Sequence, residues 1–382
     1  MPIFFMENIF PAYVITLLII SSYFFIMSLA NHYEMWRFSM ASEIFDGPMV
    51  SVLVPARNEE ENIEDCLKSL QSQIYKNYEI LVLNDNSTDN TLEILNRISA
   101  KDSRVRVFNG KPLPADWYGK PYALHQLTQE AKGDIFILTD ADTIHTPTSI
   151  AWSVTNMFKL KADLVSGYIG QVFKSFGEII TVPLMFFLTG FIIPLFINRF
   201  TKVSWFAVAI GQFIAIKRNV FEAIGGCESF KKKTSEDVYM CRLVKNKGYK
   251  TFFLNVTEHV KCHMYEGYHN AIEGIGKNIY DFLGKSTVLI FFILFIIIVF
   301  LLSPFFLMFL SLIFYSQWTV SIIAAVGLHT LTWLFMFLGQ KLNWLYCFLW
   351  PIMIGNLIYM AVWSWFRTIS GKGFLWKDRF VS

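Results

Sequence analysis

Two aspartates one residue apart, Asp140 and Asp142, close an apolar run in the stretch IFILTDADT. Read as a buried strand, the run turns successive side chains to opposite sides, so the two carboxylates of this D-x-D pair point the same way where it ends. Two hard oxygen donors on one side suit a divalent cation, and a cation held there carries phosphate oxygens with it. The stretch is a candidate site for the diphosphate of a nucleotide. A second acidic pair, Glu236 and Asp237, opens a helical pattern in TSEDVYMCRLVKNKGYK, with Ser235 as cap and Gly248 as stop. Acidic residues are ordinary in a first helical turn. Beside a metal-bound donor, however, a carboxylate there can take the proton from an attacking hydroxyl.

The elements that must position these groups alternate. Val50 to Val54 reads as a strand ended by Pro55, and Asn58 as the cap of a helix with three glutamates in its first turn. EILVLND is a second strand, NSTDNTLEILNRI a capped helix, VRVF a third strand, and PYALHQLTQEAKG a helix leading to the aspartate strand. Strands separated by helical patterns predict an α/β, doubly wound and mostly parallel sheet, with its ligand at the strands' carboxyl ends. Asp85 ends the second strand, where it can accept a hydrogen bond from a base edge, and Pro55, Ala56, Arg57 and Glu59 lie where the first strand finishes. The ordinary reading of Asp85 and Asp89 is a turn or cap residue, and Asp89 is read as a cap. Lys120 sits just before a helix facing the crevice, where it can meet phosphate as a point charge; the ordinary alternative is a solvated lysine.

Composition adds a membrane. Of 382 residues 54% are hydrophobic and only 16% charged, too apolar for an ordinary soluble enzyme, yet the middle is charged. No Asp, Glu, Lys or Arg separates Lys285 from Lys341 or Lys341 from Arg367, room for about three crossings of roughly 20 residues each, and Ile9 to Ala30 is a further uncharged span, read as a retained anchor. The predicted organisation is an anchor and flank over residues 1–31, a polar linker, a nucleotide-binding domain over 48–262, an amphipathic segment at 263–286, membrane helices over 287–366 and a basic tail at 367–382. The apolar stretch of Glu178 to Ile197 is predicted to lie in the interface, not to cross, because a crossing would separate Asp237 from Asp140; the interfacial region extends to about residue 206, with Phe200, Trp205 and Phe206 widening an entrance for a lipid. Three crossings after the domain would put the basic tail outside, so the region broken by Pro304 is predicted to be a re-entrant or split hairpin. A net charge of +3 and the lack of a basic, aromatic-interleaved helix face set nucleic acid aside. Five cysteines without ligand spacing argue against a disulfide framework or a zinc site.

VPARNEE, NDNSTD, the GK of DWYGKPYAL, TDADT and SED, in this order and spacing, resemble the family 2 glycosyltransferases with the glycosyltransferase-A fold. More narrowly, the anchor, WYGK, HMYEGYHNAIEGIGKN and the closing WKDR resemble a membrane-bound bacterial branch that includes diaponeurosporenoate and hopanoid-associated glycosyltransferases. The resemblance implies an inverting transfer from a UDP-sugar. Asp85 would hold the uracil, Asp140 and Asp142 the ribose and a Mg2+ or Mn2+ on the diphosphate, and Asp237 would be the base beside Glu236. The acceptor would be a lipid, a carotenoid acid or other terpenoid, with polyprenyl phosphate, sphingoid and glycerolipid as runners-up, reached from the cytoplasmic face of a bacterial plasma membrane. His263 stands where this branch often has Arg, and the tail has Asp378 where the branch has Gly. The QxxRW signature of polymerising relatives is missing, which points to one sugar per acceptor. Two other classes compete: a transporter that merely binds nucleotide, opposed by spans with only His329 as an ionisable group, and a catalytically dead scaffold, opposed by the intact acidic set.

Overall fold

The computed structural model describes residues 9–201, 203–233, 235–314, 317–376 and 379–381. The chain divides into two compact units: Glu34–Val172 with Leu195–Met264, and the residues before Glu34 with Phe173–Pro194 and those from Tyr265 onward. Helix α1 (Phe10–Phe38) comes first and runs past the expected end at Ala30, so the start of the supposed polar linker is helical.

The first of these units is built on β1 (Val50–Ala56), α2 (Ile63–Gln71), β2 (Tyr78–Asn84), α3 (Thr91–Ser99), β3 (Val105–Asn109), α4 (Gly119–Glu130) and β4 (Ile135–Thr139). After them come β5 (Thr143–His145), α5 (Ser149–Lys159), β6 (Leu164–Tyr168), β7 (Gly170–Gln171), β8 (Phe213–Lys217), α6 (Arg218–Ala223), α7 (Glu236–Asn246), β9 (Thr251–Asn255) and β10 (Val260–Cys262). A seven-stranded sheet has the order β3-β2-β1-β4-β8-β6-β9, in which only β8 runs antiparallel to its neighbours. A second, three-stranded sheet has the order β5-β10-β7.

Alternation explains why the central strands read as unbroken apolar runs. Val50, Val52, Val54, Ile80, Val82 and Ile137 join Leu67 and Trp152 in a core on one face. Leu53, Leu81, Leu83, Phe136 and Leu138 join Leu124, Leu127 and Met240 on the other. A strand buried on both faces is apolar at nearly every position, and two buried exceptions, Ser51 and Glu79, satisfy each other, Ser51 Oγ donating to Glu79 Oε1 at 2.7 Å.

Two local expectations fail here. Asn58 does not cap a helix: α2 begins at Ile63, Glu59 to Glu61 lie in the turn before it, and Asn58 has a φ of 50°, the left-handed region that Asn tolerates. The aspartates are not the end of a strand either. β4 stops at Thr139, and Asp140 and Asp142 sit in the turn between β4 and β5, so strand alternation does not aim them.

In the other unit, α8 (Gly267–Phe282), α9 (Thr287–Ile313), α10 (Thr319–Gly339) and α11 (Trp350–Ile369) follow in sequence. Among the described residues four helices are long and apolar enough to cross a membrane: Phe10–Phe38, Thr287–Ile313, Thr319–Gly339 and Trp344–Ile369. Pro304 does not divide α9 into a hairpin, because the chain takes a wider π turn over Ile297–Leu302 and continues helically beyond it. Nor is the stretch expected in the interface one helix: it breaks into short turns at Phe176–Ile179, Val182–Phe186 and Leu188–Ile192. Val182, Leu184, Phe186 and Phe191 are buried. Broken backbone needs other donors, and Asn31 Nδ2 supplies them to the carbonyls of Thr189, Gly190 and Ile193 at 2.8–3.2 Å, as Asn356 does to Ile180 at 3.1 Å. Buried Glu178 accepts from Lys174 N–H, Ser175 Oγ and Gly267 N–H. Of the closing WKDR, Lys377 and Asp378 lie outside the described residues.

Candidate active site

β1 and β4 pair in parallel and finish at the same edge of the sheet. The strand order turns there, with β2 and β3 on one side of β1 and β4 on the other, the position at which a doubly wound sheet opens a crevice. Pro55 and Asp140 line it with Lys120, Gly211, Glu236 and Asp237 over an apolar floor that includes Leu138, Ile214 and Met240.

Lys120 is the centre of the charges. Its Nζ lies 2.6 Å from Asp140 Oδ1 and 3.2 Å from Glu236 Oε1. It is in the first turn of α4, not before it. Burial works against its charge, but Asp140, Glu236 and Asp237 outweigh burial and hold the ammonium well above the ordinary lysine range. The solvated reading of Lys120 is thereby excluded.

Asp237 is held through both oxygens: Gly211 N–H donates to Oδ2 at 2.8 Å and Val238 N–H to Oδ1 at 2.7 Å. Burial raises the pKa of Asp237 and pushes that of Glu236 up to about 7, against the pull of Lys120. Gly211 is needed for this approach, since a Cβ there would lie 3.0 Å from Lys120 Nζ and 3.2 Å from Asp237 Oδ2.

The turn bearing Asp140 and Asp142 is tied down by buried hydroxyls. Thr139 Oγ1 donates to the Gln212 carbonyl at 2.9 Å and lies 2.8 Å from Thr143 Oγ1 and 3.0 Å from His145 Nε2. Thr143 Oγ1 in turn bonds the Asp140 carbonyl at 2.8 Å. His145 Nδ1 meets Ser149 Oγ at 3.0 Å, and burial pushes this imidazole down to about 3, so it is neutral. Asp142 is close enough to the buried thiols of Cys66 and Cys262 to add to burial in raising them.

Of the residues read from sequence, Pro55, Lys120, Asp140, Glu236 and Asp237 share one pocket lining, and Asp142 completes the same turn as Asp140. Ala56, Arg57, Glu59 and Asp85 form a neighbouring group at the ends of β1 and β2. Arg57 Nη1 donates to the Asp85 carbonyl at 2.8 Å, Asp85 N–H to the Ala56 carbonyl at 2.7 Å, and Glu59 N–H to Thr91 Oγ1 at 2.8 Å. Asp89 is structural as expected, accepting from Thr91 N–H and Glu60 N–H. Sequence reasoning missed Thr139, Thr143, His145 and Gly211. The first three are the remaining polar residues of TDADTIH, flanking the aspartates, whereas Gly211 has no such signal.

The donor set bears on a metal. Among the described residues no three of His, Cys, Asp and Glu converge as a ready-made cage. Around Lys120, however, Asp140, Glu236 and Asp237 gather on one ammonium, so that among the described residues of the pocket lining carboxylates outnumber cations. That arrangement fits a hard cation bound through one or two carboxylates and completed by phosphate oxygens.

Residues 51–225 match the family described as Glycosyl transferase family 2. The probable glycosyltransferase YdaM of Bacillus subtilis is 30% identical over 231 residues, 59% of this chain and 53% of that protein. A 4,4'-diaponeurosporenoate glycosyltransferase of Staphylococcus haemolyticus is 39% identical over 93 residues, 24% of each. The matched part thus spans about half of the first relative and a quarter of the second. Among solved structures, the mannosyltransferase PcManGT of Pyrobaculum calidifontis, in complex with GDP-Man and Mn2+, superposes with a TM-score of 0.52 at 19% identity, covering 92% of this chain and 98% of that one. That likeness is one of fold.

Proposed function

Because the chain carries a family 2 glycosyltransferase domain with the glycosyltransferase-A fold, we propose that it moves one hexose at a time, with inversion, from a UDP-sugar to a membrane lipid. The observation that carries this reading is the convergence of Asp140, Glu236 and Asp237 on Lys120 in one crevice, from elements nearly a hundred residues apart in sequence.

Asp237 is the base. It is fixed by two backbone N–H groups, and its raised pKa brings it nearer the range in which a carboxylate can accept a proton at neutral pH. Asp140 and Asp142 would hold Mg2+ or Mn2+, which when bound offsets the charge growing on the leaving diphosphate. Lys120 is the fixed cation on the same side of the crevice, and Glu236 tunes both it and Asp237. Asp85 takes the uracil edge, with Pro55, Ala56, Arg57 and Glu59 shaping that end.

The four described helices fit to cross a membrane support a multi-pass protein with a lipid acceptor; we place it in the bacterial plasma membrane with its crevice on the cytoplasmic side. The Staphylococcus relative supports a carotenoid acid or other terpenoid as the first acceptor to try, before polyprenyl phosphate, sphingoid and glycerolipid.

The test is transfer of label from UDP-[14C]glucose into extractable lipid by membranes containing the full chain, with GDP-mannose as the competing donor. Asp237→Asn is expected to lower transfer at least about 100-fold while UDP still binds. Equal rates would remove Asp237 as base. Mass analysis of lipids from cells with and without the gene should show a hexose increment on one lipid class.

A further inference from the structure

Along α7, Tyr239, Arg242, Leu243 and Asn246 recur at three- and four-residue spacing and so share one helix face. With Ser204 and Trp205 they line a pocket separate from the crevice described above, with no residue in common. The segment that closes it runs beside α7: Gly211 bonds Asp237 at one end, and the Asn198 carbonyl accepts from Lys245 Nζ at the other.

Three features of this pocket ask for a ligand. Arg242 Nε–H is buried and has no acceptor among the described residues, an uncompensated donor of the kind that proteins rarely leave so. The guanidinium lies over the Trp205 ring, its Cζ 5.1 Å from the centroid, which fixes the plane of its remaining N–H groups. Among the described residues no Asp or Glu lines the pocket, and burial pulls the Arg242 pKa down, the direction of a cation lacking a counter-charge. Beside it an apolar rim is open to solvent: Phe200 is 79% exposed, Trp205 71% and Val203 48%. A fork of N–H donors beside exposed aromatics matches an oxyanion attached to a hydrocarbon.

We propose that this pocket docks the oxyanionic headgroup of an amphiphile, with Arg242 gripping the anion and Trp205 the first carbons behind it. The inference rests on the lipid-transfer reading above and deepens it. Arg242 lies five residues, about 7.5 Å along the helix axis, beyond Asp237. Since the reacting oxygen has to reach Asp237, the group held by Arg242 is a docking group, and among the acceptors named above this favours a lipid whose anion and nucleophile are distinct, such as an anionic glycerolipid, over a carotenoid acid or polyprenyl phosphate, in which one group is both.

The experiment is equilibrium dialysis of radiolabelled octyl phosphate against the full-length protein in zwitterionic lipid nanodiscs, corrected for empty discs. Saturable binding is expected, weakened at least tenfold in R242Q and by less in R242K, which keeps a cation but not the planar fork. Octanol and inorganic phosphate, competed at equal concentration, separate the sources: neither should displace the probe. Displacement by inorganic phosphate alone, unchanged binding in R242Q, or equal losses in R242K and R242Q would each overturn the proposal. UDP binding by the wild-type preparation is measured in parallel. If UDP binds and octyl phosphate ignores Arg242, the pocket assignment falls and the donor reading stands; if UDP does not bind, the donor reading falls first.

Discussion

Replacing Lys120 by methionine removes the ammonium that, among the described residues of the pocket, faces Asp140, Glu236 and Asp237, while keeping most of the side chain's bulk. A unit charge pair 3 Å apart in a medium of effective dielectric 20 is worth about 5 kcal/mol. The Lys120 side chain is 34% exposed, so solvent screening and desolvation reduce its net effect on Asp140 or Glu236 to about 1–3 kcal/mol, and on Asp237, which forms no ion pair with it, to the low end of that range. At about 1.4 kcal/mol per pH unit, this raises the carboxyl pKa values by about one to two units beyond what burial already imposes. The sign is fixed: a lost positive charge disfavours the carboxylate, so less Asp237 is in its base form at pH 7. The acid limb of the kcat/KM profile for donor turnover, measured from pH 5.5 to 9.5, should therefore move to higher pH, by up to about one unit if Asp237 sets it. Lys120→Arg, which keeps the charge, should move it by less than about half a unit. If K120M lowers kcat/KM equally at every pH, the lysine acts on the donor phosphates alone and the coupling argued from the 2.6 and 3.2 Å contacts is wrong.

Asp140→Asn and Asp142→Asn should each abolish turnover with the fold kept, because both side chains sit in a half-buried turn and not in a core; normal rates from either variant without added metal would cancel the cation assignment. Gly211→Ala puts a carbon 3.2 Å from Asp237 Oδ2, and with that carboxylate pinned on both oxygens the cost should appear as about 10- to 100-fold in kcat and little in Tm. An unchanged kcat would mean that the Gly211 contact has slack. His145 is neutral in the fold but takes a proton near pH 6.5 when unfolded, so its stabilising share is complete above pH 6.5 and drains away as pH falls toward 3. At pH 5 the loss is about 2 kcal/mol, and His145→Gln should show a smaller fall in Tm between pH 7 and pH 5 than the wild type; an equal fall would clear His145 of that role.

Much of the site was legible because its chemistry is concentrated at strand ends. The apolar strands announce where the chain must surface from the sheet, and Asp85, Asp140 and Pro55 stand at those places. What pattern could not give was aim. The two aspartates were assigned a common direction from strand alternation, but their direction comes from a turn that Thr139, Thr143 and His145 hold with side-chain hydrogen bonds, and such bonds have no period. Lys120 looked like one lysine among many because its partners Asp140 and Glu236 are remote in sequence. Asn58 misled for a different reason: Asn serves both as a helix cap and as a left-handed residue, and only the backbone says which. Pro304 misled because a helix can widen into a π turn and go on, an outcome composition does not distinguish from a break.

The short broken stretch between Val172 and Leu195 decides how this protein can be handled. A fragment cut at residues 34 and 264 to obtain the sheet by itself would still carry that stretch, now stripped of Asn31, Gly267 and Asn356, whose amides cap its carbonyls and its glutamate. Phe186 and Phe191, 1% exposed in the whole chain, would be left uncovered in water. Trimming the ends therefore does not yield a well-behaved water-soluble enzyme; purification has to keep the apolar helices and a detergent or bilayer around them, or replace residues 173–194 by a polar loop as well.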